Sequence, residues 1–275
     1  MACINAILDG YPPQGNHINF QVYLNDLPDN DFSEVAKCIA DPAVGFESHE
    51  LFRQGATVST FMVARSFYQQ CLPTNHMHLS FSFNSLHWLK TPMALSNSIT
   101  LKSDSVTADE ADLIKQHTTN HLVTFLNHRA AELVVGGRLI LTILKDMEAM
   151  DPFNRQWHQF LKLNNYRFDQ FPSVTMPAYP RSTPEVLAAI EQVEGCLQLN
   201  FIQSDISGQG SFPISALKAA TYNTLVQGAL RCPLFATPED ATAFIDRFYE
   251  YLAPTWVAPI PTFHLVVLER IQSNL

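Results

Sequence analysis

The alternation of apolar and polar positions divides the chain into helical and extended stretches. Residues 1–9 read as the tail of an amphipathic helix with Ile4, Ile7 and Leu8 on one side, broken by Asp9, Gly10, Pro12 and Pro13. Residues 19–24 (NFQVYL) are a short β-type run stopping at Asn25 and Asp26, and residues 31–40 have helical spacing with Asp29, Asn30 or Asp31 as N-cap. Residues 76–83 alternate and predict a strand. The longest helix is expected over 107–135. Thr107 and Glu110 fit a capping box, and Leu113, Ile114, His117, His121, Leu122, Phe125, Leu126 and Leu133 follow at intervals of three and four. Gly136 and Gly137 should end it. The apolar run RLILTIL (138–144) then predicts a buried strand typical of the middle of a parallel sheet.

Beyond that point the spacing predicts helices over 154–163, 184–193 and 243–253, an antiparallel strand over 196–205 and a final strand over 263–270. Strands alternating with helices indicate an α/β fold with a doubly wound sheet and late antiparallel strands at one edge. One domain over 1–275 is expected, with a helical cap mainly within 150–195 and 208–255.

Composition narrows the partners. Hydrophobic residues make up 47% and charged residues 16%, which is a globular balance. The net charge of −9 argues against a nucleic-acid partner, whose phosphates need clustered Lys and Arg. No apolar run approaches the ~18 residues of a membrane span, and the N-terminus lacks the basic start of a signal peptide. The five cysteines show no CxxC spacing, so reduced thiols in a cytoplasmic protein are expected and zinc is not. His117 and His121 are four apart, but Thr118 stands where a zinc protease needs Glu. No GxGxxG, P-loop or GxSxG motif is present.

Six phrases carry the reading further. LNDLPDNDFSEV (24–35), RSFYQQCLP (65–73), LSFSFNSLHWLKTP (79–92) and GGRLILTIL (136–144) resemble, in order, the NDLP…NDFN, GSFYxRLFP, hxxSSYSLHWLSxVP and GGRMVLT segments of SABATH methyltransferases. Residues 168–186 and 194–203 are similar to that family's DSFNLPxYxPSxEEV and EGSFxIxxLE segments. The resemblance implies a Rossmann-like methyltransferase that takes a methyl group from S-adenosylmethionine (SAM) to the carboxylate or ring heteroatom of a small molecule. It also implies a homodimer.

By position, the resemblance makes Asp26 the acceptor of hydrogen bonds from the SAM ribose, with Leu27 beside the adenine. Ser66 and Phe67 match the pair that contacts the adenine by a hydroxyl and a ring face. Arg65 replaces the family's usual glycine. On the other side of the reaction, Trp88 matches the tryptophan that bonds the acceptor through its indole N–H, and Asn84 and His87 match neighbouring acceptor contacts. Tyrosine is common where Asn84 stands, so a smaller or more polar acceptor is expected. Asn97, Asp169 and Phe171 can be laid on a magnesium pattern found in some relatives, but Pro172 replaces its asparagine, so no metal is assigned.

The family's acidic-x-Gly-Cys-x-x-Gly loop and the central strand leading into it have no counterpart in this sequence. A truncated chain of low stability and weak SAM affinity is therefore expected. A carboxylate acceptor, with a reference pKa near ~4, is already ionised. No acid–base residue is required, and positioning and desolvation supply the catalysis. If the acceptor were a ring nitrogen or hydroxyl, His87 could accept its proton. The competing reading is an inactive family member serving as a binding module, and an unrelated α/β protein is a third.

Overall fold

In a computed structural model, the described residues are 4, 6, 9–10, 19–43, 45–47, 49–53, 56–146, 150–208, 210 and 212–272. They belong to two compact units, Met1–Cys71 and Leu72–Leu275. Of the helix expected over 1–9, Ile4, Ala6 and Asp9 are helical, whereas Ile7 and Leu8 lie outside the described residues.

In the first unit, β1 (Asn19–Asp26) pairs in parallel with β2 (Thr57–Ala64), so that Asp26 stands opposite Ala64. Half-buried Phe20, Val22 and Leu24 alternate with polar residues along β1. Helix α1 (Phe32–Ala40) starts at Asp31, whose carboxylate accepts from the main-chain N–H groups of Ser33 and Glu34. A short helix, α2 (Glu50–Arg53), precedes β2. β2, with the sequence TVSTFMVA, lacks a clean alternation of apolar and polar residues. Polar Thr60 sits on its half-buried side and Phe61 on its exposed side, where it stacks on Tyr23 at 4.8 Å.

The second unit holds a mixed sheet of β3 (Met77–Phe83), β4 (Leu133–Asp146), β6 (Thr262–Arg270) and β5 (Leu197–Ser207), in that spatial order. β3 and β4 are parallel, whereas β6 runs antiparallel to both β4 and β5, as the late strands were expected to do. Among the described residues no strand joins the two sheets.

Helix α3 (Ala108–Glu132) opens with the expected capping box. It stops before the glycines, at Glu132, and β4 begins at once with Leu133. The glycines serve a bulge in the strand: Gly136 has φ +80, and a Cβ on Gly137 would meet the Met77 carbonyl oxygen at 3.0 Å.

Four further helices complete the unit: α4 (Met150–Leu163), α5 (Thr183–Glu191), α6 (Ile214–Leu230) and α7 (Pro238–Leu252). The sequence reading finds α4, α5 and α7 but not α6. The buried face of α6 is Leu217, Thr221, Leu225, Gly228 and Ala229, and a threonine and a glycine blur the apolar stripe. That glycine lets the helix approach residues 173–174, since a Cβ there would meet the Ser173 oxygen at 2.6 Å. Together α4, α6 and α7 enclose an aromatic core around Trp157, Phe171, Phe244 and Phe248.

Candidate active site

The four residues assigned to the cofactor all lie at one edge of the first unit. Ligands in open α/β sheets bind outside the carboxyl ends of parallel strands. Asp26 ends β1, and Ser66 follows the end of β2 by two residues. The Arg65 N–H donates to the Asp26 carbonyl at 2.8 Å. The Asn25 side chain donates to the Val63 and Arg65 carbonyls at 2.8 and 2.6 Å. These bonds fix the turn carrying Ser66 directly beside Asp26.

Asp26 is exposed and does not cap α1, a task that Asp31 performs. Its Oδ1 accepts from the Leu27 N–H at 2.7 Å, and Oδ2 makes no bond among the described residues. Leu27 is 48% exposed at the same edge. The Ser66 hydroxyl accepts from the Tyr68 N–H at 3.3 Å, and the rings of Phe67 and Tyr68 lie 4.6 Å apart. Arg65 has no positive φ, so its backbone places no demand for the glycine it replaces.

Asn84, His87 and Trp88 come together in the second unit, on the turn that leaves β3. Asn84 adopts φ +54, a left-handed conformation that asparagine tolerates better than a bulky aromatic residue. Trp88 bridges to Ala178, the Leu89 N–H donates to the Pro177 carbonyl at 2.7 Å, and the Tyr179 N–H donates to the His87 carbonyl at 2.8 Å. The turn is thus held along residues 177–179. Trp88 also packs against the aromatic core, with its ring 5.0 Å from that of His87.

Behind the turn lies Arg181, 2% exposed. Its guanidinium donates to the Leu86 carbonyl at 2.5 Å and the Thr118 carbonyl at 3.2 Å. Its own N–H reaches the Leu144 carbonyl at 2.9 Å, and its carbonyl receives His264 Nε2 at 2.8 Å. The sequence reading passes over Arg181. An arginine inside the proline-rich phrase MPAYPRSTPEV is the only signal, and spacing cannot tell a buried arginine from an exposed one.

Burial, and after it the Arg181 charge, pushes the half-buried His87 imidazole down to about 4. Burial also lowers His121 to about 4, with the charges of His117, Arg181 and Lys90 adding to it, and burial lowers His264. These histidines bind fewer protons folded than unfolded. For His87 and His121 the contribution to stability is therefore complete above 6.5 and lost as the pH falls towards 4. NMR titration should place the His87 midpoint near 4. The urea midpoint should fall across that interval, and a His87 midpoint at or above 6.5 contradicts this electrostatic picture.

Asp169 of the magnesium pattern is bound by Arg167 through two 3.0 Å bonds. Among the described residues, no helix is long and apolar enough to cross a membrane.

Comparison with known proteins gives the same assignment as the phrases. A family model described as SAM dependent carboxyl methyltransferase matches residues 2–225. The chain is 31% identical over 147 residues to methyltransferase FUS9 of Gibberella fujikuroi, covering 53% of this chain and 37% of that protein. It is 27% identical to the salicylate/benzoate carboxyl methyltransferase of Arabidopsis thaliana, covering 66% of this chain and 50% of the relative. The chain thus spans about half, or less, of the length of these curated relatives. Its fold matches a loganic acid methyltransferase solved with SAH, at TM-score 0.63 and 16% identity, over 92% of this chain and 75% of that one. The mixed open sheet with its helices is therefore the α/β fold of SAM-dependent methyltransferases, and the chain belongs to the SABATH family of SAM-dependent carboxyl methyltransferases.

Proposed function

We propose that the protein moves a methyl group from SAM to a small-molecule acceptor, with a carboxylate as the receiving group. Asp26, Leu27, Ser66 and Phe67 hold the nucleoside, and Asn84, His87 and Trp88 seat the acceptor. That both units make up one catalytic domain, acting in the cytoplasm as a homodimer, is part of this reading.

The observation that carries it is the Asp26 carboxylate. It is exposed at the carboxyl end of a parallel strand, is released from helix capping by Asp31, and keeps one oxygen unbonded among the described residues next to the Ser66 turn. A carboxylate so placed can accept from a vicinal diol, the chemistry of a ribose. SAM, when bound, supplies a methyl group already activated by its sulfonium. The protein's residues then have to position the acceptor and exclude water.

His87 weighs on the choice of acceptor. A base held at about 4 is unprotonated at neutral pH but has little affinity for a proton, so it is poorly matched to deprotonating a ring nitrogen or hydroxyl. A carboxylate asks nothing of it.

Asp26→Asn keeps the size of the side chain and removes its charge. Charge-assisted bonds contribute about 1.5–3 kcal/mol, so SAM affinity should fall roughly 10- to 100-fold by titration calorimetry. Asp31→Asn, which touches only the start of α1, should leave that affinity within about threefold. Equal SAM binding by Asp26→Asn and the parent protein would remove the reading.

A further inference from the structure

Thr142 stands on β4 opposite Phe83, one residue before the Asn84 turn. The left-handed backbone of Asn84 folds its side chain back towards β4, and three hydrogen bonds join the two residues. The Asn84 N–H donates to the Thr142 carbonyl at 3.2 Å and to its hydroxyl at 3.0 Å, and the Thr142 hydroxyl donates to Asn84 Oδ1 at 2.9 Å.

The direction of the last bond is consistent with proton counting. A hydroxyl has one hydrogen. Its oxygen already takes the main-chain N–H, and its own hydrogen is left for the side-chain carbonyl of the carboxamide. A flipped amide would leave that hydrogen without an acceptor in this pair, so the orientation with Oδ1 inward satisfies both groups. The Asn84 Nδ2, with two N–H donors, is thereby left outward on an exposed residue, and it makes no bond among the described residues.

We infer that Thr142 is a positioning residue that locks the Asn84 carboxamide with its amino group outward, making this corner of the acceptor site a hydrogen-bond donor selective for an acceptor oxygen. The inference rests on the acceptor reading given above and adds the polarity of the site. A ligand presenting a carboxylate or carbonyl oxygen is matched there. One presenting only N–H or O–H donors meets two donors that it cannot satisfy, and unsatisfied donors are costly. Neither the tryptophan nor the histidine on this turn supplies that discrimination through Thr142. The bond pattern belongs to the 84–142 pair alone.

The test follows the side-chain amide signals of Asn84 and the indole N–H signal of Trp88 by NMR while benzoate is added. In the parent protein both should shift. Thr142→Val keeps the shape of the side chain and removes the hydroxyl. In this variant the Trp88 signal should still shift, the Asn84 response should be lost, and benzoate should bind about tenfold more weakly. Thr142→Ser should restore both the response and the affinity. The persisting Trp88 shift reports that the valine variant is folded.

If in the parent protein Trp88 responds and Asn84 does not, or if Thr142→Val binds benzoate as tightly as the parent, the positioning role is refuted and the acceptor reading stands. If neither signal responds in the parent protein, the acceptor reading fails and takes this inference with it.

Discussion

Replacing Arg181 with methionine should destabilise the protein by about 2–4 kcal/mol and raise the pKa of His87. The first effect comes from the carbonyls of Leu86 and Thr118, which lose the guanidinium that satisfies them. Each orphaned buried acceptor costs about 1–3 kcal/mol. Methionine fills most of the volume and ends the expense of burying a charge, which offsets part of the loss. The carbonyl term wins, because the chain around Leu86 is a turn fixed at both ends and cannot swing out to water. Urea denaturation followed by circular dichroism measures the loss, and a change under ~0.5 kcal/mol would show that the carbonyls find other donors.

The second effect separates an electrostatic role from a merely structural one. Burial comes first in depressing His87 and the Arg181 charge second. Removing the charge should move the His87 midpoint up from about 4 while leaving it below 6.5. Arg181→Lys keeps the charge without the fork of donors, so it should hold His87 low and still lose stability. The same side chain therefore ties the turn carrying Asn84, His87 and Trp88 to α3 and adds to the burial that keeps its histidine neutral.

What the sequence revealed and what it hid differ in physical kind. The strand RLILTIL and the capping box of α3 are local signals, carried by neighbouring residues, and both are present where expected. The end of α3 is three residues off, because a glycine pair has two uses. Here it admits a bulge and a close backbone approach and does not stop a helix. α6 escaped notice because packing on residues 173–174 demands a small residue on its buried face.

In the candidate site, the positions named by the phrases fall into two local groups: Asp26, Leu27, Ser66 and Phe67 at one strand edge, and Asn84, His87 and Trp88 on one turn. Their partners come from far along the chain. Arg181 bonds the turn across 95 residues of sequence, and His264 bonds Arg181 in turn across 83. No periodicity reports such pairs. Asn84 shows the limit of motif reading as well. Its departure from tyrosine suggests a changed specificity, and its left-handed backbone supplies an independent reason for asparagine.

Trp157→Ala should cost about 3–5 kcal/mol, the largest effect of any single change considered. Trp157 is wholly buried on α4 and meets Phe171, Phe244 and Phe248 edge-on, at ring distances of 5.8, 5.9 and 4.8 Å. Such aromatic pairs contribute about 0.5–1.5 kcal/mol each beyond the area they bury. The indole N–H makes no hydrogen bond among the described residues, so its polarity contributes nothing to offset its burial. Trp157→Phe, which discards that N–H and keeps most of the ring contact, should therefore lose far less, about 1 kcal/mol. Thermal melts of the two variants decide the point, since equal losses would mean that the N–H, and not the ring, matters. Because Met176 and Trp88 pack on the same cluster, the cavity left by alanine also loosens the seat of Trp88. The Trp88 indole signal should broaden in Trp157→Ala and stay sharp in Trp157→Phe, linking the packing of the helical layer to the order of the turn proposed to seat the acceptor.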